Sequence, residues 1–324
     1  MMGNKLGPLL LAGLLLGGCA TGGPESVQEQ TADRYMDESG LIRAYPMEPE
    51  SGVLAESLGL YMDYLLMTDD AEGFEHQTDQ LERYFIDRDG GPFIRWRLFH
   101  DTQVNALVDD VRIIQALNKG SARFGVPAYR ELAAELAANI GTVQRRDGVT
   151  VDFYDWQYGL AADRVTLSYL SAGLPGVIEP GTLLMDLDGS KIFFPEYYDL
   201  ESGTYKSAPE VQLVDQLLIA INRQDAGLES EAFDAWLSAE WERNGRLYGR
   251  YVRKSGEAAV GYESLAVYYF LHRYFTETGK EAAAGQTAAR ADQLYKKSDK
   301  ERLHFFDFIL YHTLKAEREG EADG

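Results

Sequence analysis

The chain has 324 residues, 45% of them hydrophobic, which is enough for one large packed domain. Lysine and arginine number 31 against 52 aspartates and glutamates, and the net charge of −21 repels nucleic-acid phosphates and anionic head groups, excluding nucleic acid as a partner. The single cysteine, Cys19, excludes a disulfide within the chain, so stability has to come from packing.

The first eighteen residues carry one charge, Lys5, followed by the apolar run Leu9 to Leu16. That run is too short to span a bilayer but fits the core of a secretory signal peptide. It ends in Leu16-Gly17-Gly18-Cys19, which resembles a bacterial lipobox, where the thiol is acylated and the preceding bond is cut. The reading is a signal peptide over 1–18, a small polar tether over 19–34 and a domain over 35–317. Losing Lys5 takes the net charge from −21 to −22. The mature protein is expected outside the cytoplasm, held by lipid on Cys19. The membrane is either an outer membrane facing the periplasm or, in a single-membrane organism, the one at the cell surface.

Amphipathic periodicity then predicts helices over 53–68, 71–86, 102–119, 126–141, 161–170, 208–222, 229–243, 260–277, 281–297 and 300–316. Ser51 and Asp70 read as caps before the first two, Gly120 as the end of the third, and Gly279 follows the helix that starts near 260. The longest non-helical stretch is 171–207, and strand patterns are confined to short pieces such as Val149–Phe153. About ten helices of similar length joined by short loops form hairpins that must stack. No fixed repeat length marks a solenoid, so the expected class is all-α, an (α/α)6 barrel.

Three acidic segments stand out. Glu56 opens a strongly apolar helix, with Gly59 one turn later on the same face; glycine there implies close packing, and a carboxyl among Leu and Met is suited to holding a proton. The same position equally suits a Glu that favours the helix dipole. Asp109-Asp110 lies inside the apolar segment Asn105–Ile114, where one of the pair should point inward and Arg112 can pair with either. Glu263 opens a long helix rich in Tyr, Phe and Leu.

Taken in order, the Glu-Ser-Leu-Gly helix, the Asn-Ala-Leu-Val-Asp-Asp-Val helix and the late Gly261-Tyr262-Glu263 helix resemble glycoside hydrolase family 8. In particular they are similar to a lipoprotein branch associated with exopolysaccharide synthesis. Asp152–Trp156, Thr166–Tyr169, Phe194–Asp199 and Val214–Leu217 belong to the same likeness, which spans about residues 35–315. The resemblance implies an (α/α)6 glycosidase with Glu56 as general acid, Asp110 holding the sugar at the cleavage point and Glu263 as base, with Asp215 or Asp155 as substitutes. It also implies a polysaccharide substrate and exopolysaccharide-synthesis partners. Val108 replaces the first acid of the family's middle motif, and Glu263 stands where the family has Asp. Those departures are what a non-hydrolysing accessory protein would show. Inverting hydrolysis needs a protonated acid and a base roughly 6.5–9.5 Å apart.

Substrate contacts are expected from Asp109, Trp96, Tyr154, Asp155, Trp156, Tyr197, Tyr198, Asp215 and Tyr262, because exposed rings stack on sugars and acids accept hydroxyl bonds. Trp156 is the strongest single choice. Five scattered histidines show no metal-ligand spacing, no phosphate loop or nucleophile elbow is present, and Asp186–Ser190 reads as a turn; neither metal nor cofactor is expected.

Overall fold

The computed structural model describes residues 25–322 except 47, 100, 101, 172, 173, 175, 176, 179 and 180. The leader, Cys19 and the start of the tether lie outside the described residues, as do His100, Pro175 and Pro180. Eleven α-helices are seen among the described residues: α1 Val27–Arg34, α2 Ala55–Met67, α3 Ala71–Gln80, α4 Leu107–Phe124, α5 Pro127–Val143, α6 Gly181–Met185, α7 Leu213–Asp225, α8 Glu231–Asn244, α9 Leu265–Glu277, α10 Glu281–Lys297 and α11 Phe305–Ala322. None is long and apolar enough to cross a membrane.

The sequence of each helix sorts it to an inner or an outer ring. α2 is apolar nearly all round and buries nine of its 13 residues, as an inner helix must. α10 buries only Ala284, Thr287, Ala288 and Ala291, a single stripe facing α9. Inner helices pack side by side in the order α4, α2, α11, α9, α7. The 3-10 turn Leu167–Tyr169 packs on α7 in the sixth inner place. α3, α5, α8 and α10 return outside as the second arms of hairpins, giving the (α/α)6 toroid.

The inner helices run the same way. Along α2 and α4, Gly59 faces Arg112 and Asp63 faces Lys119. Ala266, opening α9, bonds Asp307, opening α11. Asp225, ending α7, meets Arg273 near the end of α9. Their N-termini therefore share one mouth, where each helix leaves backbone N–H groups unpaired and favours an acid.

Several expected boundaries change. Residues 161–170 form no α-helix: Arg164–Thr166 is a strand paired with Tyr197–Asp199, itself paired with Thr204–Lys206, and the 3-10 turn follows. β-branched Val165 and Thr166 suit that strand, whose partner lies far along the chain. The second half of the expected tether is α1, opened by a capping box between Ser26 and Glu29 and buried at Thr31. Ser51 caps nothing; its hydroxyl bonds Tyr45, and α2 starts after Leu54. Asp70 does cap α3, accepting from Gly73 N at 2.8 Å. Gly120 lies inside α4, where the Phe74 ring occupies the space a Cβ would take; the helix ends at left-handed Gly125. Asp188 and Ser190 form the expected turn.

Candidate active site

Glu56 sits in the first turn of α2, half-buried. Burial pushes its carboxyl up to about 7, the nearby Asp109 charge pushes the same way, and Arg112 partly offsets both. The close contact implied by Gly59 is the neighbouring helix itself: a Cβ there would lie 3.1 Å from Ile113 Cγ1 and 3.2 Å from Arg112 Cδ. Arg112 thereby reaches across the α2–α4 seam and donates from Nη1 to Asp109 Oδ1 at 2.8 Å.

The acid brought against Glu56 is thus Asp109, not Asp110. Neighbouring helix positions diverge by about 100°, and the two carboxyls go separate ways. Asp110 is 2% exposed, and its Oδ2 accepts from Asn105 Nδ2 at 2.5 Å. Asn105 also bonds Gln144 and takes the Tyr154 N–H, so Asp110 belongs to a buried network fastening the 154–161 hairpin to α4 and α5. Burial raises its pKa well above the carboxylate range. Nothing in that position lets it touch a sugar.

Asp215 occupies the first turn of α7, half-buried, and accepts from Ser168 Oγ at 3.0 Å. Burial raises its pKa, the Ser168 bond lowers it, and among the described residues it forms no ion pair. The link to Glu56 and Asp109 is Tyr169, on the 3-10 turn. Its phenol is pushed up to about 12 by burial and then by the carboxylates of Asp152, Asp109 and Asp215, which surround it. Asp152 is buried and held by Arg164 Nε at 2.9 Å and by Thr166 N and Oγ1, both at 2.6 Å.

Glu263 is differently placed. Burial would raise its pKa, but Arg290 grips both its oxygens and Tyr268 donates to it, holding it below the ordinary value. A carboxylate saturated in this way makes a poor base.

The aromatic candidates divide. Trp96 is 36% exposed and its carbonyl accepts from Ala55 N at 3.0 Å, which sets its backbone beside the Glu56 turn. Tyr262 is 51% exposed over Gly249, whose carbonyl accepts from Leu213 N at 3.0 Å, beside the Asp215 turn. Trp156 has one face covered by Phe93, 4.7 Å away and parallel, and its Nε1 donates to Asp87. Tyr154 also stacks on Phe93, at 5.5 Å. Asp155 accepts from Tyr158 N and closes its own hairpin. Tyr197 and Tyr198 alternate across their strand: Tyr197 lies under Arg164 on the Asp152 side, whereas Tyr198 packs edge-on against Tyr205. Of the residues unsuspected from sequence, Tyr169 and Asp152 lay in segments marked by resemblance. Asp63 carried no signal.

A ring of helical hairpins with carboxyls at its N-terminal mouth defines the class, a six-hairpin glycosidase fold like that of glycoside hydrolase family 8. A family 8 endoglucanase from Klebsiella pneumoniae superposes with a TM-score of 0.63 at 14% identity, over 90% of this chain and 98% of its own. An α-amylase from Clostridium perfringens does so with a TM-score of 0.74 at 21% identity, over 88% and 93%. Within that class the chain belongs to the family of YdaJ from Bacillus subtilis, a protein named as a candidate lipoprotein. The two are 30% identical over 256 residues, 75% of this chain and 69% of YdaJ. PssZ from Listeria monocytogenes is 33% identical and has a TM-score of 0.83, over 90% of this chain and 94% of PssZ. No family model matches the chain.

Proposed function

We propose that the protein is an exported, lipid-anchored glycoside hydrolase, inverting and endo-acting on a β-linked exopolysaccharide. The observation that carries this reading is Glu56, whose carboxyl still holds a proton near neutral pH at a mouth that also presents Asp215, an acid without an ion pair among the described residues. Glu56 protonates the glycosidic oxygen as the bond to the anomeric carbon breaks. Asp215 takes a proton from a water attacking that carbon from the opposite face. Asp109, buried and paired with Arg112, sets the electrostatics beside Glu56 and stabilises positive charge developing on the ring. Trp96 and Tyr262 give the chain flat rings to lie on. Lipid on Cys19 is supported by the lipobox and by the lipoprotein name given to YdaJ.

The second reading, a polysaccharide-binding accessory lipoprotein of an exopolysaccharide synthesis or export system, is favoured by one feature. Val108 and the Arg290-bound Glu263 leave two acidic positions of family 8 without their usual chemistry.

Reducing-end release from β-glucans, chitosan, de-acetylated hexosamine polymers and an α-glucan separates the two. The wild type should cut one β-linked polymer; E56Q and D215N should each lose about 10²–10⁴-fold in rate, and E263Q should stay within about tenfold of wild type. Polymer binding without release by the wild type supports the accessory role, and release confined to the α-glucan overturns the β-linkage.

A further inference from the structure

The α2–α4 seam holds more carboxyls than it has cations to neutralise. Glu56, Asp63 and Asp109 all feel the one guanidinium of Arg112. Asp63 has a second cation, Lys119, with Nζ 3.8 Å from Oδ1. Asp109 has the direct bond from Arg112. Glu56 has no direct ion pair among the described residues. In a desolvated seam three carboxyls cannot all be charged beside two cations, so the proton goes to the one without a partner. The position of Arg112 is enforced sterically: its stem runs 3.2 Å from where a Gly59 Cβ would be, one turn below Glu56.

We propose that Arg112, seated against Gly59, is a positioning residue that keeps Asp109 ionised and thereby leaves the proton on Glu56. No atom of Arg112 needs to touch substrate; it acts through the two acids. This deepens the hydrolase reading and rests on it for the kinetic half of the test alone.

The surroundings leave the assignment to α4. Tyr169, from the 3-10 turn, faces Asp109. Arg97, bridged to Leu54 by backbone, lies with Nε 3.3 Å from where a Gly52 Cβ would be. The charges presented to α2 by Asp70 of the α3 cap and Glu319 of α11 fall on Tyr61 and Tyr64, more than a turn below Glu56.

Two substitutions at this seam have opposite signs. Removing the cation makes the last proton of the Glu56–Asp109 pair harder to lose; removing the Asp109 charge makes it easier. The test follows Glu56 directly in the full chain carrying ¹³C-labelled glutamate side chains, the signal being assigned by its loss in E56Q. The Glu56 titration should move up by about one pH unit or more in R112Q, down by a similar amount in D109N, and little in R112K. The alkaline limb of kcat/KM should move with it in R112Q and R112K, and kcat should fall in R112Q because Asp109 now shares the proton. An unmoved titration in R112Q overturns the proposal. If R112Q fails to fold, R112M carries the same arm, because it keeps an apolar stem against Gly59 without the charge: an upward shift supports the proposal and an unmoved titration overturns it. If the titrations shift as stated while no polymer is cut, the hydrolase reading falls and the role of Arg112 stands.

Discussion

Glu56 destabilises the fold when it is ionised, because burial disfavours its charged form. Its carboxyl titrates at about 7 in the folded chain, above the ordinary 4.5, so the folded state binds the proton more tightly than the unfolded chain does. Below pH 4.5 both states are protonated and the group favours neither. As pH rises from there to 7 the unfolded chain ionises first while the folded chain keeps its proton, and stability falls through that window. E56Q removes that penalty. It should therefore be more stable than wild type at pH 8 by about 1–3 kcal/mol, with the gain vanishing near pH 4. Urea denaturation at both pH values checks this, and a variant less stable than wild type at pH 8 contradicts it. Glu56 was legible because an acid in the first turn of an almost wholly apolar helix has nowhere dry to go but the mouth. The choice between Asp109 and Asp110 was not, because both have apolar neighbours and only the cross-helix partner, Glu56 or Asn105, distinguishes them. The partner of Glu263 was hidden for the same reason: Arg290, which pairs with it, lies 27 positions away on α10.

Helices communicate at the mouth through their ends. The N-cap residue of α9, Ser264, makes no cap bond to its own helix; its hydroxyl and the Ala266 N–H both donate to Asp307 Oδ1, each at 2.8 Å. One carboxylate of α11 thus caps α9 and locks two inner helices in register. D307A leaves two donors without an acceptor and should cost about 1–3 kcal/mol, seen as a lower urea midpoint at unchanged slope; D307N should recover part of it. A D307A midpoint equal to wild type would mean that water serves the cap equally well. Periodicity found nine of the helices, α2–α5 and α7–α11, because their apolar stripes are local. Their starts were placed up to five residues early, as at 102 against 107 for α4. Isolated buried residues precede several of these helices, Asn105 before α4, Val211 before α7 and Leu303 before α11, and blur where the helical pattern starts. Residues 161–170 went wrong because Val165 and Thr166 are drawn into a sheet by Tyr197 and Tyr198, a pairing no local window contains.

At the scale of the whole molecule, charge and tether length together determine how the domain meets a membrane. Cleavage before Cys19, as we propose, would leave a net charge of −22 and no electrostatic attraction to an anionic bilayer. The capping box of α1 joins Ser26 and Glu29, and Tyr35 anchors that helix to the core by donating to the Leu303 carbonyl at 3.0 Å. With lipid on Cys19, the five residues Ala20 to Pro24 hold the domain within about 20 Å of the surface, since extended chain covers at most about 3.6 Å per residue. Under the proposed lipid anchoring, attachment would depend wholly on acyl chains inserted in the bilayer, and the acidic domain would be repelled by the surface that retains it. Cys19→Ser should move the protein from the membrane to the soluble fraction and abolish fatty-acid labelling, while the polymer-cutting rate stays at the wild-type level. Wild type should stay bound through a 1 M salt wash, because salt screens charges and leaves hydrocarbon burial intact. Release of wild type by salt, or retention of Cys19→Ser, would show that a basic partner rather than lipid holds the protein at the surface.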